Sequence, residues 1–347
     1  MSTHKALIAL SGGVDSSVAA RLMQQAGYDC IGVTMRLHDP KDDAADARAV
    51  AHKLQIPFVL ADCTEAFREM VMCHFVRSYE SGLTPNPCVE CNRHLKFGLL
   101  LQQAKELGCD VIVTGHYCRI RQDETGRFLL LKAADPTKDQ SYFLYALTQA
   151  QLRHVRFPLA ELSKEQVRSI AEENGFLNAH KRDSQDICFI PDGDYFRFLR
   201  EFTGKTYASG AFVDTGGTIV GTHQNAVAYT RGQRKGLGLA MGRPVYVLEK
   251  DMDKNTVTVG DDAQLFGTTL RANDWNFIPF DTLDKPMRVL AKARSRMAEQ
   301  PATIYPEENG YARVVFDTPQ RAITTGQAVV LYDGELVVGG GTITEVL

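Results

Sequence analysis

The chain has 347 residues, of which 44% are hydrophobic and 23% charged, the composition of an ordinary soluble protein with core enough for two or three domains. Its formal net charge of −3 argues against a generic nucleic-acid coat, so any RNA contact must rest on local basic patches. No apolar run approaches the ~18 residues of a membrane span and the polar start leads directly into a strand pattern, so the chain is expected in the cytoplasm with no membrane partner.

The first element is an apolar strand, Ala6–Leu10, which leads through Ser11-Gly12-Gly13-Val14-Asp15-Ser16-Ser17 into an amphipathic helix near Ser16–Gln25. Gly12 and Gly13 permit a sharp turn and close approach to a ligand. The hydroxyls of Ser11, Ser16 and Ser17 and the free N–H groups of the first helical turn all donate, so the junction is predicted to bind phosphate oxygens. The lysine of a GK[ST] phosphate loop is missing. Strands Ile31–Arg36, Phe58–Ala61 and Val111–Thr114 then alternate with helices near Ala44–Leu54, Ala66–Tyr79 and Leu95–Leu107. That βαβ rhythm predicts an α/β fold with a parallel sheet covered on both faces. Ligands of such sheets sit beyond the carboxyl ends of the strands, where the glycine loop, Met35 and Thr114-Gly115-His116 all fall.

A short hairpin follows, Arg119–Arg121 with Phe128–Leu131 around the Asp123–Gly126 turn, and helical periodicity returns from Asp139 to Phe176. After about Thr203, frequent Gly and Thr with β-branched runs predict β structure to the end. The expected division is a first domain over residues 1–203, a small central β-rich domain Gly204–Gly267, and a compact barrel Thr268–Leu347 ending in a kink at Gly339–Gly341 and a last strand.

Eight cysteines scattered through so large a chain do not read as a disulfide framework, and most are expected as thiols. In Thr84-Pro-Asn86-Pro87-Cys88-Val-Glu-Cys91-Asn92 a Pro-rich loop opens a helix, placing Cys91 near an N-terminus whose dipole and free N–H groups favour thiolate. Cys188 follows the basic, polar stretch that begins at Lys181. Two such thiols suit a sulfur relay, one carrying a persulfide and the other resolving it by disulfide formation. Structural burial is the competing reading for both, and the accepted one for Cys30, Cys63, Cys73, Cys109 and Cys118. Cys88, Cys91 and Cys188 would also give three thiolate ligands for an iron-sulfur cluster, or for zinc with His94 as a fourth. Three basic patches offer themselves to RNA: His180–Arg182, Arg231–Lys235 and Lys292–Arg296.

Lacking its lysine, the glycine loop resembles the SGGxDS signature of PP-loop ATP pyrophosphatases, which release pyrophosphate and leave AMP on the substrate. Together SGGVDSS, TPNPCVECN, TGHY, KDQSYFLY, DSQDICFI and RGQRKGLG, in that order, resemble the tRNA-specific 2-thiouridylase family, called MnmA or TrmU, over nearly the whole chain. The resemblance implies a PP-loop (adenine nucleotide α hydrolase-like) domain, a small central domain and a C-terminal β-barrel embracing a tRNA anticodon arm. It implies ATP- and Mg²⁺-dependent replacement of the wobble-uridine C2 oxygen by sulfur in tRNAs for Lys, Glu and Gln. The sulfur would come from a persulfide donor such as a cysteine desulfurase or a sulfur-relay protein. By position, Ala9, Leu10, Ser11, Gly12, Gly13, Val14, Asp15 and Ser16 would bind the ATP phosphates, and Met35 and Gly115 would line the adenosine pocket. Asp15 would bind magnesium or order the loop. Cys91 matches the nucleophile and Cys188 the persulfide carrier. Asn86, Pro87 and Cys88 would lie beside the base, and Lys138, Asp139, Gln140, Arg294 and Ser295 would contact the tRNA. The chain departs from many members at Cys88, where they carry Asp, and at Ser295, where they carry an aromatic residue. Two rivals remain at this point: another PP-loop ligase such as an argininosuccinate or lysidine synthetase, and a non-catalytic, metal-stabilised RNA-binding protein.

Overall fold

The computed structural model describes residues 4–38, 44–181 and 187–347. Its first layer is a five-stranded parallel sheet in the order β3-β2-β1-β4-β7, with β1 Lys5–Ala9, β2 Asp29–Arg36, β3 Phe58–Asp62, β4 Val111–Val113 and β7 Val155–Arg156. Neighbouring residues of β1 serve opposite cores. Ala6 and Ile8 face the packing of helices α1 (Val14–Gln25) and α2 (Ala45–Leu54), while Leu7 joins Leu100, Ala104 and Ile112 on the other side. Each of these β1 side chains is fully buried, worth about 2 kcal/mol for one of Leu or Ile size, and this double-sided burial holds the sheet between helices.

The predicted helix over Ala66–Tyr79 is a continuous helical run built of Thr64–Phe67, a π-helical stretch Arg68–Cys73 and His74–Glu80. The one over Leu95–Leu107 begins earlier, at Pro87, and runs through Pro87–Glu90, a π-helical stretch Cys91–Leu99 and Leu100–Glu106. Between Asp139 and Phe176 the expected helix is broken into a single turn at Ser141–Phe143, Gln149–Arg153, strand β7 and Lys164–Glu173.

The hairpin, β5 Arg119–Gln122 and β6 Phe128–Leu131, forms as predicted but extends the C-terminal sheet instead of standing alone, pairing at Leu131 with Leu336. That sheet contains β12 Phe266–Phe277, β13 Met287–Lys292, β14 Gln300–Pro306, β15 Ala312–Arg321, β16 Ala328–Asp333 and β17 Leu336–Val346. It closes into a six-stranded barrel through the β12–β17 pairing. A four-stranded central sheet of β8 Gly210–Val213, β9 Ile219–His223, β10 Tyr246–Asp251 and β11 Thr256–Gly260 lies between the two in sequence. Gly339–Gly341 lie inside β17 instead of separating a kink from a last strand. A Cβ on Gly340 would come 2.6 Å from the Tyr145 ring, and one on Gly341 2.8 Å from Trp275, so these glycines let flanking aromatics sit on the barrel wall.

Candidate active site

Gly13 caps α1 without a side-chain hydrogen bond, which leaves the first-turn N–H groups open above the end of β1. The loop is braced from within. Ser16 Oγ donates to Gly13 O at 3.0 Å and accepts from Ser11 N at 3.2 Å, and Ser17 Oγ donates to Gly13 O at 3.0 Å. Asn178 Nδ2 reaches Gly12 O and Ser17 Oγ, each at 3.0 Å, while Leu10 O accepts from Thr34 Oγ1 at 2.6 Å. Gly12 adopts φ +71°, and a Cβ there would meet Asp46 Cβ at 2.9 Å, so the sharp turn needs glycine. Gly115 is needed for space: a Cβ would stand 2.8 Å from Ser16 N, so the turn after β4 packs directly on the loop. Met35, half-buried at the end of β2, and Ala9, Val14 and Ser16 complete the same sheet edge.

Asp15 does not present a free carboxylate. Lys164 Nζ donates to its Oδ1 and Oδ2 at 2.7 and 2.8 Å, and Tyr117 OH donates to Oδ1 at 2.7 Å. The ammonium that the loop lacks in sequence is therefore supplied from helix Lys164–Glu173. Lys164 is only 6% exposed and was not singled out from the sequence. Tyr117 continues the chain of contacts, since its N–H donates to Gln140 Oε1 and Gln140 N donates to its carbonyl, both at 3.0 Å. Asp139 spends both oxygens on the same loop, accepting from Ala133 N at 3.0 Å and Ser141 Oγ at 2.7 Å. Of Lys138-Asp139-Gln140, the last two thus tie the segment down.

The thiols lie at the same carboxyl edge. Asn86 precedes the helix and Pro87 is its first residue, so Cys88 occupies the first turn, while the Cys91 N–H already donates to Pro87 O. Cys91 is buried among Phe67, Phe75, Leu95, Phe189 and Ile190, and this apolar cluster brings it to the segment carrying Cys188. The expectation of a favoured thiolate at Cys91 is corrected. Burial pushes its thiol up, opposed by Lys96 and reinforced by Cys88. Burial also raises Cys88, again opposed by Lys96, and lifts Cys188 to about 11 with help from Cys91 and Cys88. Cys88 and Cys188 are solvent-exposed by area, yet protein crowds their sulfurs enough for desolvation to lead. Cys63 is half-buried rather than fully buried and is raised by Asp62 and Cys91 after desolvation, so it stands at the margin of the same cluster.

Lys96 is the common cation. It sits one π turn beyond Cys91, its charge opposes the upward shifts of Cys88, Cys91 and Cys188, and it adds to the burial that holds His116 neutral. His116 follows Gly115, and its Nδ1 lies 2.8 Å from Thr114 Oγ1. Gly115, His116 and Lys96 thus link the glycine loop to the thiols as one series of neighbours.

With Cys188 near 11, its alkylation by iodoacetamide in tRNA-free protein rises roughly tenfold per pH unit between pH 7 and 9, because only the thiolate reacts. Mass spectrometry of the Cys188 peptide measures it, and a plateau near pH 8 would show a thiolate already formed.

All eight cysteines are free. Among the described residues no three His, Cys, Asp or Glu side chains converge as a metal site, so the Cys88/Cys91/Cys188 set does not fit an iron-sulfur cluster, nor zinc with His94, in this arrangement. His94 pairs instead with Glu90 at 3.3 Å. Arg182 and Asp183–Asp186 of the expected motifs lie outside the described residues. Arg294 is partly buried and held in place by its neighbours. Its Nη2 donates to Arg231 O at 3.1 Å and to Thr324 Oγ1, which brings two of the basic patches together, with Ser295 in the adjoining turn. From the barrel, Gln327 Nε2 donates to Thr84 O at 2.8 Å and Pro85 O at 3.3 Å, fixing the loop before Asn86. Sequence reasoning passed over Gln327 as it did Lys96.

An open helix N-terminus at the carboxyl edge of a parallel sheet, linked to a set of thiols through Gly115, His116 and Lys96, defines a nucleotide-using enzyme of the PP-loop class. Residues 4–192 match the family described as tRNA methyl transferase HUP domain, 197–261 its PRC-barrel domain, and 267–343 the aminomethyltransferase beta-barrel domain. A protein of Acetivibrio thermocellus called tRNA-specific 2-thiouridylase MnmA is 47% identical, covering 99% of this chain and 100% of the relative. One of the same name from Clostridioides difficile is 47% identical over 99% of both, and one from Treponema denticola 46% identical over 99% and 98%. The chain belongs to the tRNA-specific 2-thiouridylase MnmA family.

Proposed function

We propose that the protein uses ATP to replace the C2 oxygen of the wobble uridine by sulfur in the tRNAs for Lys, Glu and Gln. The carrying observation is that Cys88, Cys91 and Cys188, from two distant segments, lie close enough for Cys88 and Cys91 to raise Cys188 and for Lys96 to oppose the shift of all three, in the domain that also bears the glycine loop. Relatives matched along their whole length and named for 2-thiouridylation support it. So do thiols that an argininosuccinate- or lysidine-type ligase does not need, and a glycine loop that a non-catalytic RNA binder does not need. We divide the work among residues 1–203 for chemistry and 204–267 and 268–347 for holding the tRNA, in the cytoplasm.

In this reading the backbone N–H groups of Gly12 to Ser16 cradle the ATP phosphates, Ala9 and Leu10 form the floor, and Met35 and Gly115 line the adenosine. The uridine is flipped out beside Asn86, Pro87 and Cys88. Its C2 oxygen attacks the α-phosphorus, the bond to pyrophosphate breaks, and the N–H groups of the loop stabilise the charge that develops. Magnesium bound to the triphosphate supplies further neutralisation; Asp15, both of whose oxygens are taken by Lys164, does not fit as its ligand and orders the loop instead. A persulfide on Cys188 attacks C2 through its outer sulfur and AMP leaves. Cys91 then attacks the inner sulfur, forming a Cys91–Cys188 disulfide and leaving the outer sulfur on the base. An external dithiol reduces the disulfide, and a cysteine desulfurase or sulfur-relay protein reloads Cys188. Lys138 and Arg294, with Asp139, Gln140 and Ser295 shaping their loops, contact the tRNA.

Nucleoside mass spectrometry tests this on unmodified tRNA for Glu after incubation with iron-free protein, MgATP and a persulfide donor. The expected product is 2-thiouridine. Product only after anaerobic iron-sulfur reconstitution would overturn the persulfide route, and none under either condition the function itself.

A further inference from the structure

Cys63 directly follows β3, where its N–H donates to Arg36 O of β2 at 3.0 Å and its carbonyl accepts from Phe67 N at 2.8 Å, so the backbone around it is fixed. It caps the helical turn Thr64–Phe67, and that turn packs against the π-helical stretch Cys91–Leu99, which Cys91 begins. The side chain of Cys63 packs against the same apolar cluster in which Cys91 is buried. Burial and Asp62 raise the Cys63 thiol, and Cys91 raises it further, as Cys91 also raises Cys188. Cys91 is thus the common neighbour of Cys63 and Cys188.

Exposure separates the three. Cys91 is 7% exposed, Cys63 is half-buried and Cys188 is exposed. After one turnover the proposed mechanism leaves Cys91 joined to Cys188, which blocks the carrier that the sulfur donor must reload. A further thiol beside Cys91 releases the block, because a disulfide passes between sulfurs by exchange, with no oxidant or reductant consumed. The surroundings favour that exchange. A Cys63–Cys91 disulfide is apolar and leaves no thiol to desolvate within the cluster, while the exposed Cys188 thiol is returned to solvent.

We propose that Cys63 is a third member of the thiol relay, accepting the disulfide from Cys188. Its thiolate attacks Cys91 Sγ in the Cys91–Cys188 disulfide. The Cys63–Cys91 bond forms, the Cys91–Cys188 bond breaks, and Cys188 leaves as a thiolate that takes up the proton Cys63 gave. The external dithiol then attacks the half-buried Cys63 sulfur and releases Cys91; its second thiol frees Cys63 as the dithiol closes into its own disulfide. Reloading of Cys188 and reduction of the protein disulfide thereby proceed at separate sulfurs. This rests on the thiolation reading above, and it gives a chemical role to a cysteine whose sequence context suggested burial alone.

The test is mass-spectrometric mapping of non-reduced peptides, with free thiols blocked by iodoacetamide, after a single turnover of persulfide-loaded protein on unmodified tRNA for Glu without added dithiol. Among parent molecules that have turned over, the disulfide is expected at Cys63–Cys91 with Cys188 alkylated in roughly half or more; in Cys63→Ser it should stay at Cys91–Cys188, with Cys188 alkylated in less than roughly a tenth. A parent disulfide confined to Cys91–Cys188, with Cys63 fully alkylated and 2-thiouridine formed, would overturn the role of Cys63 and leave the thiolation reading standing. A second arm needs no thiolation. Diamide, which oxidises a pair of thiols to a disulfide, is expected to link Cys63 to Cys91 in tRNA-free Cys188→Ala protein, where the competing partner is gone; no such link would show that the two sulfurs do not meet, and the relay falls. A parent that forms neither 2-thiouridine nor a disulfide would sink the thiolation reading and the relay with it, which separates that failure from the other two.

Discussion

Replacing Cys91 by alanine is expected to lower 2-thiouridine formation by at least roughly a thousandfold, equivalent to about 4 kcal/mol of barrier, with tRNA and ATP binding retained. Cys188→Ala should lose as much by another route. Without Cys188 there is no persulfide, so protein incubated with the donor carries no transferable sulfur there. Without Cys91 the persulfide still loads and still attacks the adenylated base, but in a single turnover without external dithiol, the condition under which the loss is measured, the C2–S–S–Cys188 adduct has no thiol to resolve it and accumulates as a protein–tRNA species that added reductant releases. Cys88→Ala separates the persulfide route from a cluster. Cys88 adds to the charge around Cys91 and Cys188 but forms and breaks no bond in the relay, so its loss should cost no more than roughly tenfold. Three equal losses would instead point to one shared inorganic site. Alanine is preferred to serine at Cys91 because the side chain is buried in the apolar cluster that includes Phe67, Phe75 and Leu95, a setting in which burying a hydroxyl is costly. Measured by nucleoside mass spectrometry with gel analysis of the adduct, more than a tenth of parental activity in Cys91→Ala would remove Cys91 from the mechanism.

The thiol site shows where sequence reading succeeds and where it stops. The parallel strands were legible because each alternates between two apolar faces. Strand β7 was not, since Val155–Arg156 is too short to carry a period. The hairpin Arg119–Gln122 with Phe128–Leu131 was legible from its turn, but nothing local tells whether it joins the nearest sheet or a barrel some two hundred residues away. Cys91 was placed near a helix start, whereas the helix begins at Pro87 and the cysteine lies in its π-helical continuation, inside an apolar cluster that no local pattern announces. Lys96 was hidden for a related reason: it comes round to the cysteine's side only because the helix there is wound with five residues between partners rather than four. Lys164 did leave a signal. Ser163 and Gln166 form a capping box, which makes a lysine the first helical residue, against the helix dipole. A charge on the wrong end of a helix asks for a partner, and here it is Asp15.

That pair carries the other large prediction. Lys164→Met should destabilise the fold by about 3 kcal/mol, toward the lower end for a buried pair because the Asp15 side chain is 29% exposed. Its effect on ATP should be at least as large. Asp15 lies in the first turn of α1, beside the N–H groups offered to the phosphates, and with Lys164 gone it becomes an uncompensated negative charge there. At ~7 Å and an effective dielectric of about 20, each unit of phosphate charge is repelled by ~2 kcal/mol, or roughly thirtyfold in affinity. The double variant Asp15→Asn with Lys164→Met removes both charges. It should regain part of the lost stability and most of the lost ATP affinity, a coupling that two independent structural defects would not show. Calorimetric ATP titration with thermal unfolding of the parent, both single variants and the double measures that coupling. If Lys164→Met and the double variant bind ATP equally weakly, the charge balance at Asp15 is irrelevant to the nucleotide, and the ion pair does no more than fasten helix Lys164–Glu173 to the loop.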